Sequence, residues 1–167
     1  MGPAAEPAIG ERPPVFAREA TTGRFDLAAH LGQRPVVLLF LPDMADPNCA
    51  GYAKAFANNA DHYRGLSAAV AVITMGPTGG RELPGMVIVP EAAALFDLYG
   101  LAEGGSARAA VVIVDRYGQV HAVYRGDGCT ALPPEATVAR VLLGAESVCP
   151  ECGVPEKHWQ EAGRPNN

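Results

Sequence analysis

The sequence predicts one α/β domain built on a mixed β-sheet with helices on both faces, and three observations predict it. A continuous apolar run, Pro35-Val-Val-Leu-Leu-Phe-Leu41, gives way to a helical pattern and then to a second apolar run, Ala68 to Thr74. Two later runs, Ala109 to Asp115 and Gln119 to Tyr124, are joined by the tight turn Arg116-Tyr-Gly118. No G-x-G-x-x-G opens a helix after any of these runs, which sets aside a dinucleotide-binding layout.

Each element has its own reason. Six apolar residues bounded by proline suit a strand covered on both faces. From Asn48 the period changes: Tyr52, Phe56, Ala60 and Tyr63 recur at three and four with alanines between them, an amphipathic helix. The run Ala68 to Thr74 follows at crossover distance and argues for parallel pairing with the first strand. Gly76 to Gly80 reads as a loop and Gly85 to Val89 as a short strand. Pro90 to Gly100 reads as a helix, with Pro and Glu in its first turn and Gly at its end. The Arg116-Tyr-Gly118 turn makes an antiparallel hairpin of the next two strands. Pro134 to Gly144 closes the domain as a helix with Val138, Val141 and Leu142 on one face. The order β-α-β followed by α-β-β-α is an α/β sandwich of thioredoxin-like fold.

The chain of 167 residues, 49% hydrophobic, is long enough for one sizeable core and too short for two full domains. Residues 1–13 hold Pro3, Pro7 and Pro13 and read as a loose tail without a signal-peptide pattern. The domain spans residues 14–146, and residues 147–167 form an extension of different character, rich in Pro and Gly with two cysteines and the only Trp. Thirteen Lys and Arg against 18 Asp and Glu give a formal charge of -5 and no basic cluster, which argues against nucleic acid as a partner. No apolar run approaches the length of a membrane span. A cytoplasmic, reducing setting is expected, in which the four cysteines are free, redox-active or metal-bound rather than a disulfide framework.

Cys49 falls where the first strand gives way to the helix, in that helix's first turn. Unpaired backbone N–H groups there favour the thiolate, which is the reactive species. Such a sulfur can attack a peroxide oxygen and become a sulfenic acid for a second thiol to resolve. A free cysteine that merely packs in a core is the plain alternative.

The segment Pro42-Asp-Met-Ala-Asp-Pro-Asn-Cys49 resembles the Pro-x-x-x-Thr-x-x-Cys loop of the peroxiredoxin family, within the AhpC/TSA or redoxin superfamily and nearest its bacterioferritin-comigratory-like branch. Gly10, Pro14, Phe16, Gly23, Leu98-Tyr-Gly100 and Val112-Ile-Val-Asp-Arg-Tyr-Gly-Gln-Val120 carry the resemblance over roughly residues 10 to 143. It implies a thiol peroxidase with catalytic residues Cys49, Pro42, Asp46 and Arg108, needing no cofactor. It also implies a peroxide substrate, a thiol reductant such as thioredoxin, and self-association as a homodimer. Two positions depart from the family pattern. The family's Thr maps to Asp46, whose carboxylate accepts but cannot donate and whose charge opposes the thiolate. A helix-start role explains the same Asp before Pro47. The family's Arg maps to Ala109, with Arg108 one residue earlier, where a solvent-facing role competes with a catalytic one.

Three roles compete for Cys149-Pro-Glu-Cys152: resolving or thiol exchange, half of a zinc site with His158 as a further ligand, or inert packing. Cys129, in the polar loop Arg125-Gly-Asp-Gly-Cys-Thr130, is a possible resolving thiol but reads more simply as an exposed one without a task. Besides a peroxidase, a disulfide reductase or redox sensor using Cys149 and Cys152 fits the residues, as does a non-catalytic binding or structural domain. A Cys49 sealed beneath Tyr52 and Phe56 would favour the last.

Overall fold

The computed structural model describes residues 6–147. At its centre lies β3 (Val36–Phe40), whose five residues are all buried. The sheet order is β5-β4-β3-β8-β9, with β4 (Ala69–Ile73), β5 (Val87–Val89), β8 (Ala109–Val114) and β9 (Val120–Gly126). β3 runs parallel to β4 and antiparallel to β8, and β8 and β9 form the expected antiparallel hairpin. A sheet covered on both faces reads as an unbroken apolar run, which is why β3, β4 and β8 stand out in the sequence.

Alternation along β3 divides the core in two. Val37 and Leu39 face one side with Ala53 and Phe56 of α2 (Pro47–Asn58), Tyr63 of α3 (Ala60–Gly65) and Val138 and Leu142 of α5 (Glu135–Glu146). Val36, Leu38 and Phe40 face the other side with Leu27 of α1 (Leu27–His30) and Leu95 and Phe96 of α4 (Ala93–Leu98). There Phe40 meets Phe96 edge-on at 5.4 Å and Tyr99 at 4.7 Å between ring centroids. The architecture is the thioredoxin-like α/β sandwich read from the sequence.

Several boundaries differ from expectation, each for a physical reason. The helix expected from Pro90 starts at Ala93, because Glu91 takes φ 52° and its N–H goes to Gly76 O, which places Pro90 and Glu91 in the preceding turn. The strand expected from Gly85 starts at Val87. Gly85 has φ 76°, and a Cβ there would lie 2.8 Å from that of Ala60, so glycine is required where the loop crosses α3. The helix expected to run on from Asn48 breaks at Asn59, whose side chain donates to Glu135 Oε1 at 2.8 Å. Two small hairpins were not expected: β1 (Ala17–Ala20) with β2 (Gly23–Asp26), and β6 (Ala102–Glu103) with β7 (Ser106–Ala107). The first docks through Thr21 N–H on Ile88 O.

Residues 6–13 form no strand or helix but are tied to β9, with Gly10 N–H donating to Val120 O and Val120 N–H to Glu11 O, each at 2.8 Å. Tyr99 O–H reaches Pro14 O at 2.6 Å, and burial pushes this phenol's pKa up so that it stays a donor.

Phe40→Ala should remove the aromatic contact that joins the central strand to α4. A loss of about 3–5 kcal/mol is expected in urea unfolding, with the transition remaining cooperative; a loss below about 1 kcal/mol would mean the second core half does not depend on this ring.

Candidate active site

The site grows from the end of β3. Leu41 N–H continues the ladder onto Ile73 O, and the chain then turns at Pro42, whose carbonyl accepts from Thr74 Oγ1 at 3.3 Å and from Met75 N–H at 3.2 Å. Thr74 is a fully buried polar residue, so this bond fixes where the loop leaves the sheet. Four residues on, Asp46 caps α2: its Oδ1 accepts from Asn48 N–H at 2.9 Å, and Pro47 follows in the first helical position. This cap sets Cys49 in the first turn, pointing inward into the same cluster as Phe56, with only 3% of its surface exposed.

Cys49 is joined to Cys129 by a disulfide, with their Cα atoms 5.2 Å apart. Cys129 opens a single 3-10 turn, Cys129–Ala131, seated against α2. The expectation of an exposed Cys129 is therefore overturned: it is 4% exposed and bonded to Cys49. The polar composition of Gly126-Asp-Gly128 suggested a solvated loop, but Gly126 lets the chain fold tightly back on β9. A Cβ on Gly126 would stand 2.7 Å from Ala131 Cβ and 3.0 Å from Gly128 O. A glycine-flanked cysteine after an apolar strand was the only sequence signal, and it does not name a partner.

A polar frame holds the disulfide's surroundings. Tyr52, one turn after Cys49, donates from its hydroxyl to Pro133 O at 2.6 Å and packs on Phe56 at 5.3 Å. Tyr63 O–H donates to Glu135 Oε1 at 2.7 Å, the oxygen that also accepts from Asn59. Burial first, then the Glu135 charge, pushes the Tyr52 phenol's pKa up; burial, then its hydrogen bond to Glu135, does the same for Tyr63. Both remain protonated donors, so through neutral pH Tyr52 keeps α2 tied to Pro133, just before α5, and Tyr63 keeps α3 tied to α5 itself.

Asp46 Oδ2, the oxygen not used in capping, lies 3.9 Å from Cys49 Sγ. In the disulfide that sulfur carries no proton, so this is a contact that becomes a possible S–H···O interaction only on reduction. Arg108 pairs with a residue two positions before Cys129. Arg108 Nη2 meets Asp127 Oδ1 at 3.3 Å, and no hydrogen bond or ion pair joins it to Cys49 among the described residues. Cys49, Cys129, Asp46 and Pro42 are thus gathered at one end of the sheet. Cys149, Cys152 and His158 lie outside the described residues.

Comparison with solved structures gives the class of fold. The chain superposes on the mitochondrial 2-Cys peroxiredoxin of Plasmodium falciparum with a TM-score of 0.76 at 16% identity, covering 88% of this chain and 99% of that one. The reduced 2-Cys peroxiredoxin of Plasmodium vivax gives 0.72 at 16% identity, over 80% and 79% of the two chains. A yeast mitochondrial 1-Cys peroxiredoxin gives 0.68 at 18%, over 80% and 74%. The fold is therefore thioredoxin-like, as it is in these peroxiredoxins. No family model and no curated protein matches the sequence.

The disulfide joins residues 80 apart in sequence. Closing a loop of that size restricts the unfolded chain by about 4.5 kcal/mol in the chain-entropy account. Urea unfolding with and without a strong thiol reductant should differ by a few kcal/mol in wild type and not at all in Cys129→Ser. Equal midpoints in wild type would show that the bond forms without constraining the domain.

Proposed function

We propose that this chain is a thiol peroxidase in which Cys49 is oxidised by hydrogen peroxide or an organic hydroperoxide and Cys129 resolves the product. The observation that carries the reading is the Cys49–Cys129 pair itself: a cysteine in the first turn of a capped helix, with a second cysteine already at bonding distance across the site. In the first step the Cys49 sulfur attacks the distal peroxide oxygen, the O–O bond breaks, and water or an alcohol leaves, giving a sulfenic acid. In the second step the Cys129 thiolate attacks the sulfenic sulfur and hydroxide leaves as water, forming the disulfide. An external thiol reductant then returns both cysteines to thiols.

The resemblance to peroxiredoxins over the loop ending at Cys49 supports the first step, and the likeness in fold supports the setting. Pro42 shapes the loop through its carbonyl contacts with Thr74 and Met75. Arg108 stays outside the reacting group in this reading, because its guanidinium lies with Asp127. The similar yeast structure is described as resolved via glutathione/thioredoxin systems, and a similar Plasmodium yoelii structure is that of a thioredoxin peroxidase. We take a thioredoxin-type dithiol as the reductant here, in a cytoplasmic setting, with the chain acting as a homodimer of the bacterioferritin-comigratory-like branch. The acidic net charge supports a reading without nucleic acid, and no helix among the described residues is long and apolar enough to cross a membrane.

A second reading is favoured by one observation, the burial of both sulfurs. On that reading the disulfide is a permanent brace in a binding or structural domain. The two readings separate when the reduced protein is mixed with one equivalent of hydrogen peroxide and its cysteines are mapped by mass spectrometry. A peroxidase forms the Cys49–Cys129 disulfide at least a hundredfold faster than free cysteine is oxidised. Its Cys129→Ser variant accumulates sulfenic acid at Cys49, and its Cys49→Ser variant does not react. Oxidation no faster than that of free cysteine would leave the brace.

A further inference from the structure

We propose that Asp46 is a catalytic residue of this site, taking the proton from the Cys49 thiol as the sulfur attacks and handing it to the departing oxygen. The proposal rests on the peroxidase reading above and adds how the proton moves.

The geometry assigns the two carboxylate oxygens different tasks. Oδ1 accepts from Asn48 N–H at 2.9 Å, which favours the rotamer seen here. That leaves Oδ2 free, 3.9 Å from Cys49 Sγ in the disulfide and beside the position of the reduced thiol. The same backbone turn serves both, because Ala50 N–H returns to Asp46 O at 2.9 Å and locks the first turn of α2. A capping serine or threonine has a single side-chain oxygen to offer, whereas aspartate has one for the helix and one for the sulfur.

The charge of Asp46 is at first sight a defect, since a carboxylate beside a sulfur opposes the thiolate. It becomes useful if the thiolate is never formed in advance. The reduced thiol donates its S–H to Oδ2, which leaves a sulfur lone pair free for the peroxide. As the S–O bond forms and the O–O bond breaks, the proton passes from sulfur to Oδ2 and from there to the leaving oxygen. The balance is Cys49 thiol plus hydroperoxide to Cys49 sulfenic acid plus alcohol or water, with Asp46 an unprotonated carboxylate before and after. A general base that closes to hydrogen-bonding distance in the reacting complex commonly contributes a factor of about 10²–10⁴.

The test compares reduced full-length wild type with Asp46→Asn, which keeps a good cap and removes the base. Two reactions of Cys49 are followed between pH 5.5 and 8.5: oxidation by hydrogen peroxide, and alkylation by iodoacetamide. Alkylation expels iodide, which needs no proton, so it reports the thiolate alone. In Asp46→Asn, peroxide oxidation at pH 6 should fall tenfold or more while alkylation holds steady or quickens. The wild-type peroxide rate should also decline less steeply with falling pH than its own alkylation rate. The proposal is overturned if the variant is oxidised as fast as wild type, or if both reactions fall by the same factor, which would mark a merely structural role. A urea midpoint within a small shift of wild type checks that the cap survives, and Asp46→Ser gives a second capped variant if it does not. If wild type itself reacts no faster than free cysteine, the peroxidase reading fails first, and that outcome is distinct from a fast wild type with an equally fast Asp46→Asn.

Discussion

The placement of β3 between a parallel and an antiparallel neighbour is the constraint on which the rest of the molecule depends. All of its residues are buried, so both faces must be covered, and the helices α2 and α5 on one side and α4 on the other follow from that need. The ladder to β4 carries on to Leu41 and then through Pro42 and Thr74, so the loop before α2 starts from a fixed point. Cys49 inherits its position from this chain of bonds, and the tight seat of the Cys129 turn over Gly126 supplies its partner.

Much of this was legible in the sequence because full burial leaves an unmistakable mark. The runs from Val36, Ala69 and Ala109 are apolar without interruption, and the Arg116-Tyr-Gly118 turn allows only a hairpin. The β1–β2 hairpin left no such mark, since most of its residues face solvent and only Phe25 is buried. The starts of α4 and β5 leave no such mark because backbone geometry decides them: Glu91 and Gly85 take positive φ for reasons that lie in distant residues.

The site shows the same division. The motif spacing located Cys49 and the capping position of Asp46, both local features of a loop entering a helix. The pairing with Cys129 was not legible, because two cysteines separated by 80 residues meet only through the three-dimensional register of β8, β9 and the 3-10 turn. Arg108 was visible as a one-residue offset from the position of the family's Arg, whereas its contact with Asp127 depends on where the chain after β9 returns and left no mark in the sequence.

The disulfide also makes a covalent circle of everything between Cys49 and Cys129, a stretch that holds β4, β5, α4 and both strands of the hairpin. The exposed segment Pro77 to Gly85, with its glycines and prolines, lies inside that circle and is the kind of loop a protease cuts first. A single cut there leaves the oxidised chain as two polypeptides that remain one molecule, and the same cut in the reduced chain leaves two that are free to separate. The redox state of two buried sulfurs thus decides whether damage to this exposed loop breaks the covalent connectivity of the molecule.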